Sequence, residues 1–215
     1  MTQILLATHN TSKIERYRTR LAVNGIEFTT LKELGLVTQE PEEDGSNEWE
    51  NAQIKARTYF ETASQNGYHL PALSEDTGIY ITDLPPDRQP GKDVQRAAGV
   101  TQSDTDMERF TKMTDYYIQI ANECGGEARA YFINVYCLFD EQTYYKAEGK
   151  REIIITNTIH KVDTSFPLCS MYRAVSCGKP YQDLNEAEMN KFLSPCIDRA
   201  REMLTQYIKN SNPQM

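Results

Sequence analysis

No apolar run in these 215 residues approaches the roughly 18 that a membrane-spanning helix needs. The opening MTQILLATHN has neither a basic leader nor a long apolar segment, so no secretory signal and no membrane partner are expected. Cysteine is sparse and patternless. Cys124, Cys137, Cys169, Cys177 and Cys196 make an odd number without CxxC spacing, which reads as reduced thiols in a cytoplasmic protein, not a disulfide frame or a zinc site. Positive charge is in deficit, 23 Lys and Arg against 31 Asp and Glu, for a net charge of −8. A polymeric nucleic acid needs a basic face, so that class of partner is excluded. A small polyanion held by a few local cations and a metal ion is not. Internal repeats and low-complexity linkers are also missing.

What is present is a globular composition, 39% hydrophobic and 25% charged, long enough for one domain of two lobes that share a core over residues 1–215. Residues 3–7 read as a short buried strand. Ile14, Tyr17 and Leu21 recur at helical spacing, with Asn24-Gly25 as a stop. A second strand is expected over 26–31 and a helix from about Glu48 to Gln65, closed by Asn66-Gly67. LPALSEDTGIYITDLPP suggests strand, polar break, strand. Met107, Phe110, Met113, Tyr117 and Ile120 mark another helix, ended near Gly125-Gly126. ARAYFINVYCLFD and TYYKAEGKREIIITNTI, with DEQT between them, read as a long hairpin. A final helix runs from Asn185 to about Lys209 with a break expected at Pro195, and the tail 210–215 is expected to be disordered. Strands alternating with helices, then a hairpin and a helix, indicate a mixed α/β fold.

Three stretches stand out chemically. In ATHNTSK a strand ends in small polar residues and a helix starts at once. That arrangement offers backbone N–H groups, Thr8, Asn10 and Lys13 to an anion. It is also what a plain helix start looks like, with Asn10 or Thr11 as N-cap. In PEEDGSNEWENAQIK the acidic residues suit a hard cation such as magnesium, or form a solvated face. Glu50 and Lys55 are five apart and do not stack on one helix face, which frees Lys55 to point at a ligand. In SEDTGI, Glu75 and Asp76 interrupt an apolar segment. Such a pair is costly at a buried strand end unless a metal, a cation or a substrate compensates it, and a turn through Asp76-Thr77-Gly78 is the other reading.

In order and spacing, these elements resemble the inosine triphosphate pyrophosphatase family. ATHNTSK is similar to its Thr/Ser-x-Asn-x-x-Lys element, EDGSNEWENAQIKAR to its Glu-x-Gly-x-x-x-x-Glu-Asn-Ala-x-x-Lys-Ala element, and LSEDTGI to its acidic pair followed by Ser/Thr-Gly. PGKDVQRAAG and EGKREI extend the likeness to about residue 156. The resemblance implies an elongated mixed-sheet α/β fold of two lobes around a central cleft, generally a homodimer. It implies hydrolysis of nucleoside triphosphates between the α- and β-phosphates, with preference for deaminated purines. Carried over residue by residue, it assigns Thr8, His9, Asn10, Thr11, Ser12, Lys13, Lys55, Thr77, Gly78 and Arg96 to substrate. Glu43 and Asp76 would hold Mg2+, Asp76 would activate water, and Glu75 and Lys55 would assist.

The C-terminal part departs from this pattern. DTSFPLCSMYR, residues 163–173, lacks the aromatic-Asp-Pro segment that reads the base, Met189 replaces a lysine, and Ser194-Pro195-Cys196 stands where Ser-His-Arg contacts the purine. Phe166 and Tyr172 are candidates to stack on a base, and Lys179, Lys191 and Arg199 are displaced candidates to read its edge. A surface charge is the plainer reading of each of the three cations, and core packing that of the two aromatics. A catalytically reduced nucleotide-binding or interaction protein derived from the family is the alternative function.

Overall fold

The computed structural model describes residues 1–211. Its seven strands are β1 (Thr2–Leu6), β2 (Ile26–Thr29), β3 (Ala72–Ile81), β4 (Glu127–Phe139), β5 (Tyr144–Thr156), β6 (Tyr172–Ala174) and β7 (Lys179–Pro180), and its four α-helices are α1 (Thr11–Arg20), α2 (Glu48–Gln65), α3 (Asp106–Glu123) and α4 (Glu186–Ser211), all among the described residues. The strands form one mixed sheet in the order β2-β1-β3-β4-β5-β6-β7. β1 runs parallel to both β2 and β3, while β6 is antiparallel to β5 and β7. The α/β class is therefore as the alternation of elements indicated. Among the described residues no helix is long and apolar enough to cross a membrane.

By contacts the chain divides into two compact units. One comprises Met1–Thr77, Asn134–Gly149 and the chain from Cys196 on; the other comprises Gly78–Ile133 and Lys150–Pro195. In the first, Ile4, Leu5 and Leu6 have no exposed surface, as expected of a parallel strand covered on both faces. Leu5, Ala7 and Ala72 pack with Ala52, Ala56 and Phe60 of α2. The small alanines bring α2 close to the sheet, which later places Asn51 and Lys55 within reach of β3. In the second unit α3 starts at a reciprocal cap between Thr105 and Glu108 and stops at Gly125-Gly126, both at positive φ. It buries Phe110, Met113 and Tyr117.

Three expectations are corrected. LSEDTGIYI is not two strands around a polar break but one continuous strand, β3, because Glu75 and Asp76 both find buried partners without leaving the ladder. α4 runs unbroken through Pro195. Pro195 has no N–H for the Lys191 carbonyl, and the Ser194 hydroxyl donates to that carbonyl instead, at 3.1 Å. Asn210 and Ser211 belong to α4, and 212–215, the rest of the tail expected to be disordered, lie outside the described residues. The hairpin forms as expected, β4 and β5 being joined by a turn in which the Asp140 N–H donates to the Thr143 carbonyl.

Candidate active site

β1 ends at Leu6, and Ala7 still donates to the Leu73 carbonyl before the chain turns into α1. Thr8 Oγ1 accepts from the Asn10 N–H at 3.2 Å, and Asn10 Oδ1 accepts from the Lys13 N–H at 3.1 Å. Asn10 is thus the N-cap of α1. The cap satisfies the N–H of Lys13 and leaves those of Thr11 and Ser12 without a carbonyl inside the helix. An N-cap and an anion-facing helix end are compatible here. His9 places its Nε2 3.1 Å from the Thr38 carbonyl and its ring 5.3 Å from that of Tyr59.

On β3, successive side chains leave opposite faces of the sheet, so the adjacent carboxylates serve two separate clusters. Glu75 faces α1. Its side chain has no exposed surface, and it accepts from Arg16 at 2.7 Å, from the Tyr17 hydroxyl and from the Asn134 amide, with Lys13 Nζ 3.8 Å away. Lys13, Arg16 and Tyr17 stand at i, i+3 and i+4, one face of a helix. Asp76 faces α2. It accepts from Lys55 Nζ at 2.8 Å and from Asn51 Nδ2 at 3.3 Å. Lys55 also lies 3.0 Å from Glu43, so a single ammonium sits on two carboxylates. Glu50, the sequence neighbour, instead accepts from the Ser46 N–H at 2.6 Å.

The electrostatics differ between the two faces. Burial works against the charge on Glu75, but Arg16, Lys13 and the hydrogen bonds from Tyr17 and Asn134 outweigh it and hold the carboxyl far below the usual range. Burial likewise works against Lys55, and there Asp76 and Glu43 win and raise it. For Lys13, burial dominates over the attraction of Glu75, and Lys55 and Arg16 add like-charge repulsion. Its ammonium is pulled below the normal lysine range. Three cations thus gather around three carboxylates, Glu75, Asp76 and Glu43, and one of the cations, Lys13, is held at a disadvantage that a further anion would relieve.

The acidic loop before α2 is fixed by backbone geometry. Gly45 donates to Asn51 Oδ1 at 3.0 Å, and a Cβ at Gly45 would come within 2.7 Å of that oxygen and of Glu50 Cβ. Glycine is required there for close approach. Asn51 consequently ties the loop to Asp76 with its two amide ends. Among the described residues no group of three or more His, Cys, Asp or Glu is placed to hold a metal ion. Glu43 and Asp76 supply hard carboxylate oxygens gathered on one cation, Lys55. Two carboxylates completed by substrate oxygens and water are the donor set that suits magnesium, so these residues fit it.

Of the other residues assigned from sequence, Thr77 lies beside this site, its Oγ1 3.3 Å from Glu75 Oε1 and 2.9 Å from Asn134 Nδ2. Gly78 and Arg96 fall in the second compact unit, where Arg96 pairs with Asp93. Arg16, Tyr17, Asn51 and Asn134 were not singled out for chemistry from sequence. Asn51 lay inside a quoted element, and Asn134 is a lone amide in an apolar strand, which was the available signal.

The model of the Ham1 family matches residues 4–192. The chain belongs to the Ham1 family. This is the family that the inosine triphosphate pyrophosphatase motifs resemble. A protein of Bartonella quintana named dITP/XTP pyrophosphatase is 35% identical over 145 residues, 66% of this chain and 62% of that protein. One of the same name from Mesorhizobium japonicum is 30% identical over 156 residues, 71% of this chain and 67% of that protein. The match to the Bartonella protein therefore spans under two thirds of its length. The solved structure of a HAM1 protein from Coxiella burnetii superposes with a TM-score of 0.72 at 27% identity, covering 98% of this chain and all of the other. A Staphylococcus aureus Ham1 protein, 17% identical with a TM-score of 0.70 over 98% of this chain and all of its own, shares the fold.

In this Ham1 chain three of the candidates for reading a base contact other side chains. Tyr172 is 2% exposed and packs against Phe132, Tyr181 and Phe192 in the second unit. Lys179 pairs with Glu188 at 2.6 Å and Arg199 with Glu202 at 3.2 Å. Phe166 keeps 41% of its surface exposed. Beside them Arg151, 8% exposed, lies 5.0 Å from the ring centres of both Phe132 and Phe192.

Proposed function

We propose that this chain is a magnesium-dependent nucleoside triphosphate pyrophosphatase that acts on noncanonical purine nucleotides and releases the monophosphate and pyrophosphate. Family membership and the names of the relatives support the class of reaction. The observation that carries the reading is the Lys55 ammonium lying on both Asp76 and Glu43, with Lys13 and Arg16 gathered on the neighbouring Glu75.

The α1 N-terminus, with Thr8, Asn10, Thr11 and Ser12, offers donors to phosphate oxygens, and Lys13 adds a cation whose ammonium state a polyanion would restore. The buried Nε–H of Arg16, which has no acceptor among the described residues, is a further donor for an anion. Glu43 and Asp76 would hold magnesium, which when bound neutralises phosphate charge and helps to polarise the attacked phosphorus. Asp76 takes the proton of the attacking water as the bond from the α-phosphorus to its bridging oxygen breaks, and Lys55 steadies the charge that develops on the oxygens. Glu75, whose oxygens accept from protein donors, would assist by anchoring the cations. Gly78 and Arg96 stay in the proposal as substrate contacts, and so does the homodimer, which light scattering of the purified chain would read.

The test is pyrophosphate release from ITP, dITP, XTP, the four common ribonucleotides and their deoxy forms, with magnesium. Turnover of the deaminated purines is expected, with Asp76→Asn lowering kcat about 10²–10⁴-fold. An Asp76→Asn protein as active as the wild type would remove Asp76 from the chemistry. Silence across the panel would overturn the hydrolase reading.

A further inference from the structure

We infer that Asn134 is a positioning residue for substrate binding: its amide fixes the Thr77 hydroxyl as a donor directed at substrate. This rests on the proposed triphosphate reading and extends it to a residue on β4 that the sequence motifs do not contain. Arg16 and Tyr17 donate to Glu75 Oε2, and the end of the Asn134 side chain that faces the other oxygen, Oε1, is the donor Nδ2. Nδ2 carries two hydrogens. One goes to Glu75 Oε1, and the other meets Thr77 Oγ1 at 2.9 Å. That bond occupies a lone pair of the hydroxyl and obliges Thr77 to donate its own proton elsewhere. Within the protein the acceptor is Glu75 Oε1 at 3.3 Å, long for an O–H···O bond and readily exchanged for a substrate oxygen.

The amide is held in this orientation from behind. Cys196 Sγ donates to Asn134 Oδ1 at 3.4 Å, and Cys196 is 2% exposed. Cys196 stands where the resemblance places an arginine that contacts the purine. Here that position of α4 is turned to the amide that orders Thr77. Asn134 itself is 3% exposed.

The experiment is a double-mutant cycle of Asn134→Ala and Thr77→Val, read as KM and kcat for XTP and as the XTP-induced shift in melting temperature. Each single variant is expected to raise KM on the order of tenfold with a smaller change in kcat, and the double variant to be no worse than either single. Additive losses, or an unchanged KM in Asn134→Ala, would overturn the inference. If the wild type turns over no triphosphate, the hydrolase reading fails. The inference is then decided by the melting shift: coupled loss supports it, and additive loss or no shift in the wild type overturns it. Asn134→Leu, close in size and without a donor, keeps the test open should Asn134→Ala not fold: the same rise in KM is expected, and an unchanged KM overturns the inference.

Discussion

A carboxylate with no exposed side-chain surface stays ionised only where its partners offset the loss of water, and Glu75 has Arg16, Lys13, Tyr17 and Asn134 to do so. Removing it strands Arg16, half-buried, as an unpaired cation. Glu75→Ala is expected to cost about 3–5 kcal/mol in urea unfolding, and a cost below about 1 kcal/mol would mean that the cluster relaxes into water. The pH dependence has a definite sign. The folded carboxyl is depressed below its unfolded value, so its contribution is complete above the unfolded pKa and is lost as pH falls through the folded one. The wild type should therefore lose stability progressively below about pH 4.5, more steeply than Glu75→Gln. From the sequence, Glu75 and Asp76 could be named as needing compensation, but not which partners supply it. Arg16 and Asn134 each lie 59 residues away along the chain, and no local pattern encodes such a distance.

Helices were the most legible elements because each carries its own boundary signals. α2 begins after Asn47, which caps Glu50, and ends at Asn66, as the residues around it announced. β3 misled because two charged residues in a row argue against a strand, and only the helices packed on its faces reverse that argument. β6 and β7 have three and two residues, too few for any periodicity to show. The loop before α2 shows how tightly an element edge is drawn. Gly45→Ala would press a methyl against Asn51 and Glu50, and is expected to cost about 1–3 kcal/mol in denaturant unfolding while loosening the hold on Asp76. A stability unchanged within error would show that the loop moves aside freely.

Over the whole molecule, a net charge of −8 coexists with a local concentration of Lys13, Arg16 and Lys55. The proposed binding of a triphosphate there would work against the general field and with the local one. Raising ionic strength from about 0.1 to about 1 M shortens the screening length from about 10 to about 3 Å. KM for the preferred triphosphate should rise several-fold while kcat holds, and a KM indifferent to salt would assign recognition to neutral donors. The α/β class and the family motifs were legible because the motifs are short and ordered along the chain. The C-terminal half of recognition was not, because the residues there depart from the family pattern and their new contacts are made in three dimensions.

The adjacency of Glu75 and Asp76 on opposite faces of β3 has a consequence for how errors in assembly are handled. A slip of one residue in the pairing of that strand would send each acid to the other's side, leaving Arg16 and Lys55 opposite apolar or mismatched groups. The misaligned chain would lose both ion clusters at once, and with them the energy that lets charge reside in a strand. Formation of the two ion clusters and correct strand alignment are thus a single condition, and a half-right molecule has no stable place to stop.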